Sequence, residues 1–405
     1  MHRFIPVSLW VATLSACTPI DQGPIEQLPA GPLPVQRGTM TSQSLADEVD
    51  AAVLGLLEQT GKPGMSVAVF GPGQVLYAAG YGWADLASAE PMTPETPVLL
   101  SSVSKTFIAV AAMQGQEAGR LSLDSPAGEL LGFPVDNPYV SGEVISLRHL
   151  LTHSSGLRDS MVYPYSYTEG DPEVGLRAFL FGYFTEGGEH WTPANYARAL
   201  PGDAHAYSNT AAALGALAIA EAASLEFLDL VDRDILQPLG MVHSAYHLRD
   251  QVLQPATPYA TVRSGFRPWA QYGYPTYPDG MLRSGAEDLA RFGAAVLGGG
   301  SLDGVQILST ASVDEMLAPQ PVTIPEDSPL GDSQSIIWYE RPVDDYAFIG
   351  HSGGDLGSFT ELWLERERQA GVLLLFHTVP QDEAEVDAVL DLETRLIDLV
   401  TEVSP

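Results

Sequence analysis

Residues 99–107, Leu-Leu-Ser-Ser-Val-Ser-Lys-Thr-Phe, put a serine three positions ahead of a lysine where a helix begins. Positions i and i+3 share a helical face, so the Ser102 hydroxyl and the Lys105 amine can meet. The helix running on to about Glu117 is apolar on most sides (Phe107, Ile108, Val110, Met113), which marks it as buried inside a larger body. A serine hydroxyl is a poor nucleophile until a base takes its proton. A lysine can be that base when burial or neighbouring positive charge lowers its pKa. The chain holds only two lysines, Lys62 and Lys105, and leaves its other basic positions to arginine, which cannot lose its proton. Ser101, four residues before Lys105, also faces it and is a candidate N-cap. Alone, S-x-x-K is equally met in a capped helix with a solvated lysine.

The 405 residues can bury a large core, as one large domain or two subdomains. A hydrophobic share of 45% against 17% charged fits a globular chain rather than a disordered one. The formal net charge of −32 argues against a nucleic-acid partner, because the field repels phosphates. Residues 1–17 read as a targeting segment: Arg3, then a short apolar run too short to span a bilayer, then Leu-Ser-Ala-Cys. That ending resembles a bacterial lipobox, which would make Cys17 the lipidated first residue of the mature protein. The expectation is an envelope protein, held by its lipid at the outer membrane or the periplasmic face. Cys17 is the only cysteine, so no intramolecular disulfide is possible.

Residues 18–42, rich in Pro, Gly and Gln, read as a flexible linker. From residue 43 the pattern turns helical, with Leu45, Val49, Val53 and Leu56 at three- and four-residue steps. Two strands follow, at 65–70 and 74–81, then a loop to residue 96. His149 and His153 sit at i, i+4, as do His243 and His247, but neither pair has the glutamate that a zinc-protease helix requires, so no metal is assigned. Stretches 158–205 and 254–280 are long, aromatic and irregular, and read as pocket walls or structural insertions. After Pro329 the period switches to two, predicting strands at 336–340, 346–349, 358–364 and 372–377 in an antiparallel sheet, closed by a helix over 382–403.

Three motifs stand in chain order: Ser102-Val-Ser-Lys105, Tyr207-Ser-Asn209 and His351-Ser-Gly-Gly354. With the further signatures Gly80-Tyr-Gly-Trp-Ala-Asp85, His149-Leu-Leu-Thr-His-Ser-Ser-Gly156, Gln237-Pro-Leu-Gly-Met241 and Asp279-Gly-Met-Leu-Arg-Ser-Gly285, the chain resembles the penicillin-recognising serine hydrolases. These comprise class C β-lactamases, D,D-peptidases, D-aminopeptidases and related esterases. The resemblance covers roughly 45–402. It implies an α/β (α+β) fold over 43–405, with an α/β part at about 43–100 and 285–405 and a helical part at about 101–284.

By the same resemblance, Ser102 forms an acyl-enzyme, with Lys105 and Tyr207 as the general base. A tyrosine near a cation is expected to have a lowered pKa. The backbone N–H groups of Ser102 and Gly354 form the oxyanion hole, while Asn209, His351, Ser352 and Gly353 contact substrate. No cofactor is implied. The substrate is a small-molecule or peptide ester or amide, including D-amino-acid peptides and cell-wall fragments. His351 stands where relatives carry a lysine, and a histidine is only partly charged near neutrality, which weakens the case for a true β-lactamase. A catalytically inactive binding lipoprotein of the same fold is the other alternative. Gly350-His-Ser-Gly-Gly354 also matches the G-x-S-x-G elbow, but that motif needs a helix after the serine, and residues 358–364 alternate like a strand.

Overall fold

The computed structural model describes residues 23–325 and 333–403. Residues 1–17, read above as a targeting segment ending at Cys17, lie outside them. The architecture is an antiparallel sheet built from both ends of the chain, with a mostly helical body inserted between. Its principal strands are β1 (Val35–Met40), β2 (Gly64–Gly71), β3 (Gln74–Asp85), β4 (Tyr339–Val343), β5 (Tyr346–Asp355), β6 (Ser358–Glu365) and β7 (Ala370–Phe376). They lie in the order β1-β3-β2-β7-β6-β5-β4, extended by two-residue strands at Ser333–Gln334 and Glu90–Pro91. The chain ends meet where β2 pairs with β7, Val69 opposite Val372.

Both faces of the sheet are covered, which is why β2, β6 and β7 are buried along their whole length. Alternate side chains feed two cores. Val67, Val69, Tyr77, Trp363 and Leu374 pack on α1 (Gln43–Thr60) and on α5 (Glu383–Val403). Ala68, Phe70, Ala78, Leu373 and Leu375 face α4 (Ala286–Leu297) and the helical body. In the first core, the Arg341 guanidinium lies over the Trp363 ring, 3.8 Å from its centroid, and pairs with the buried carboxylates of Glu361 and Glu393.

The helical body centres on α2 (Lys105–Glu117) and α3 (Asn209–Ala223), both buried along most of their length. Its aromatic stretches are packed: Tyr163, Tyr167, Tyr272 and Tyr274 touch one another ring to ring. Two expectations are corrected. The linker is from Val35 onward an edge strand, Val35 opposite Tyr81, held by backbone bonds that its polar sequence did not announce. Upstream, Ile25 exchanges two backbone hydrogen bonds with Phe266, at 2.8 and 3.0 Å. The loop expected after residue 81 continues as β3 to Asp85.

Candidate active site

Ser102 sits in a single 3-10 turn, Ser101–Ser104, at the head of α2. Ser101 enters it in the left-handed region, φ 49°, a conformation that costs a residue with a side chain. It neither caps the helix nor faces Lys105, because its hydroxyl points to Ser358 Oγ at 3.2 Å. The turn is held from β6, where the Ser358 and Thr360 hydroxyls donate to the carbonyls of Leu99 and Leu100. These two brace the turn that carries Ser102. No local sequence signal marks them, because the strand also carries Glu361 and Glu365.

Lys105 is fully buried. Its Nζ donates to Ser102 Oγ at 3.0 Å, Asn209 Oδ1 at 2.7 Å and the Asp279 carbonyl at 2.6 Å. Burial holds its pKa below the ordinary lysine value, and the carboxylates of Asp279, Asp159 and Asp355 oppose that shift. Tyr207 donates to Ser102 Oγ from the other side, at 3.0 Å. Here the expected lowering of the tyrosine pKa is reversed. Burial raises it, Asp279 and Asp159 add to the rise, and the bond to Ser102 only partly offsets it. The phenol is thus held neutral, as a hydrogen-bond donor to Ser102 Oγ.

His351 is also corrected from partly charged to neutral. Burial first, and then the Lys105 charge, push it down to about 3. Its Nδ1 lies 2.6 Å from Ser352 O, and its ring stands 6.3 Å from that of Tyr207. Ser352 Oγ pairs with Tyr339 OH at 2.7 Å. Residues 350–354 lie wholly within β5, and β6 follows after a tight turn, so the strand–serine–helix elbow is not formed there. Gly353 passes so close to the Ser101–Ser104 turn that a Cβ would stand 3.0 Å from Ser102 N, whereas the Cβ side of Gly354 is open.

The paired histidines part company. His149 closes a capping box with Ser146, whereas His153 lies beside Tyr207. His243 approaches Asp288 and His247 approaches Asp171. Carboxylates dominate the surroundings of Lys105. Tyr163 and Tyr274 donate to Asp279 Oδ1, at 3.0 and 3.1 Å, and Tyr167 donates to Asp355 Oδ2 at 3.1 Å. Burial pushes Asp355 up to about 6.

Known proteins share the architecture. The β-lactamase family profile matches residues 49–396. A β-lactamase of Yersinia enterocolitica is 30% identical over 209 residues, 51% of this chain and 48% of that protein. The chain thus spans about half the length of the curated relatives it matches first. Among solved structures, the octameric penicillin-binding protein homologue from Pyrococcus abyssi superposes with a TM-score of 0.66 at 25% identity, covering 86% of this chain and 77% of that one. A class C β-lactamase superposes at 0.69 with 20% identity, covering 91% and 99%, a likeness of fold.

Proposed function

The chain belongs to the β-lactamase family, and on that premise we propose that it hydrolyses an ester or amide through an acyl-enzyme on Ser102. The observation that carries this reading is the buried Lys105 amine 3.0 Å from the Ser102 hydroxyl. Neutral Lys105 takes the Ser102 proton as Oγ attacks the carbonyl. The resulting ammonium is held by Asn209 Oδ1 and the Asp279 carbonyl. Tyr207 protonates the leaving group and recovers its proton from Lys105. Water then attacks the ester of Ser102, with the same groups working in reverse. The backbone N–H groups of Ser102 and Gly354 receive the oxyanion in both halves.

The charges favour some substrates over others. Asp159, Asp279 and Asp355 act on Lys105, while His351 and His153 are uncharged. An anionic group beside the scissile bond, such as a β-lactam or D-Ala carboxylate, meets no histidine cation here. Neutral or cationic esters and amides are the better fit, D-amino-acid amides and peptides among them, and a true β-lactamase is the less favoured alternative. Lipidation at Cys17 and a place in the cell envelope complete the proposal. A Cys17→Ser variant should leave the membrane fraction.

The deciding experiment is intact mass of the protein after incubation with short esters and with a penicillin, beside Ser102→Ala. A Ser102-dependent adduct or turnover supports the reading. Turnover that survives in Ser102→Ala overturns it.

A further inference from the structure

Residues 153–159, His-Ser-Ser-Gly-Leu-Arg-Asp, take no part in the steps above, yet their two ends close on the two ends of Tyr207-Ser-Asn209. We propose that His153 and Asp159 are positioning residues, a paired clamp that sets Tyr207 and Asn209 against Lys105 and Ser102. The proposal rests on the reading of Ser102 as nucleophile.

At one end, His153 holds the backbone on both sides of Tyr207. Its carbonyl accepts from Ala206 N at 2.7 Å and its Nδ1 accepts from Ser208 N at 3.3 Å. Between these bonds its ring lies against that of Tyr207, with centroids 4.2 Å apart. An accepting Nδ1 requires a neutral ring with the proton on Nε2, and burial holds it neutral. His153 adopts φ 52°, left-handed backbone that a side-chain-bearing residue enters at a cost. That conformation is what lets one residue reach both flanks.

At the other end, Asp159 gathers five donors. Oδ1 accepts from Ser208 Oγ (3.0 Å), Thr210 N (2.9 Å) and Thr210 Oγ1 (2.7 Å). Oδ2 accepts from Asn209 N (2.8 Å) and Asn209 Nδ2 (2.9 Å). The backbone bonds satisfy free N–H groups at the start of α3, as any cap would. The bond to Asn209 Nδ2 goes beyond capping. A carboxylate cannot donate, so only the amide nitrogen of Asn209 can face it. The amide oxygen is thereby fixed towards Lys105 Nζ, 2.7 Å away. Were the amide reversed, two donors would confront each other at Lys105.

The test is a double-mutant cycle on hydrolysis of p-nitrophenyl butyrate, with Ser102→Ala as the blank. Asp159→Ala should lower kcat on the order of 10²-fold, the scale of a misplaced catalytic group, while KM changes less than about threefold. In the Asn209→Ala background the same substitution should cost less than about threefold, because its target is gone. Asp159→Asn, which keeps an acceptor for the helix, should fold and show the same split between kcat and KM. His153→Phe keeps the ring but not the acceptor, and should lower kcat about tenfold with KM held. An equal loss in both backgrounds, or a lowered Tm with wild-type kcat in the folded fraction, would reduce Asp159 to a helix cap and overturn the clamp. Wild-type kcat in His153→Phe would remove His153 from it. Absence of any Ser102-dependent hydrolysis by the wild type would instead overturn the reading of the site and this inference with it.

Discussion

Tyr207 and Lys105 approach Ser102 Oγ from two sides at the same distance, 3.0 Å, and ionise in opposite senses. Burial disfavours charge on both, so it lowers the amine and raises the phenol. In the proposed mechanism the pair therefore divides the work, Lys105 accepting a proton and Tyr207 donating one.

Ser102→Ala should abolish both acyl-enzyme formation and ester turnover, read by intact mass and by release of the alcohol. Ser352→Ala should keep the adduct on the peptide that contains residue 102, because the Ser352 hydroxyl is directed at Tyr339. An adduct mapped to Ser352 would reinstate the elbow.

The rate should rise with pH through the ionisation of Lys105. The reactive amine is the neutral one, so kcat/KM climbs as the ammonium loses its proton and levels off above that point. Burial places the midpoint below the free lysine value of about 10.4. Lys105→Arg keeps the charge but cannot deprotonate, and should cost about 10²–10⁴-fold in kcat with the rising limb gone. A flat wild-type profile from neutral to alkaline pH, or near-normal activity in the arginine variant, would show that Lys105 is not the base.

Charge should decide between otherwise matched substrates. An ester bearing a carboxylate next to the scissile bond should have kcat/KM roughly tenfold or more below its neutral counterpart, about 1.4 kcal/mol, with the gap narrowing as salt is added. A preference for the anionic ester would mean that a cation outside the groups named here serves the site.

The grouping of Ser102, Lys105 and Tyr207 was legible because the three side chains sit in short motifs. What holds them was not. Ser358 and Thr360 reach the Leu99–Leu100 backbone from across the sheet, Asp279 serves Lys105 through a main-chain carbonyl, and Asp159 acts on a segment 50 residues away. None of these contacts leaves a local pattern. The pKa of Tyr207 was misjudged for a related reason: a nearby cation can be inferred from motifs, but burial beside carboxylates cannot. β1 escaped notice because its place is set by backbone pairing with β3 and not by an apolar period.

Gly353→Ala should separate folding from catalysis. The added methyl would collide with Leu100 O, Thr360 Oγ1 and Ser102 N, forcing β5 away from the nucleophile turn. The expected result is a folded protein with kcat down on the order of 10²-fold. Wild-type kcat would mean that the strand can shift without disturbing the oxyanion donors.

Arg341→Met should be destabilising far from the chemistry. It would leave Glu361 and Glu393 buried without their cation, a loss of about 3–5 kcal/mol, visible as a lower Tm with kcat unchanged in the folded fraction. An unchanged Tm would show that the two carboxyl groups are held without the guanidinium.

The sheet that completes the site is closed by strands from opposite ends of the chain, β2 against β7. A ribosome therefore releases Ser102 long before it reaches Gly354. Contacts between such distant segments are also the slowest to form. The nascent polypeptide carries its serine and lysine but no partner strand to receive an oxyanion, so it should be chemically silent while it is being made. The proposed hydrolysis would then wait until β7 has joined β2, which ties its onset to a late step of folding.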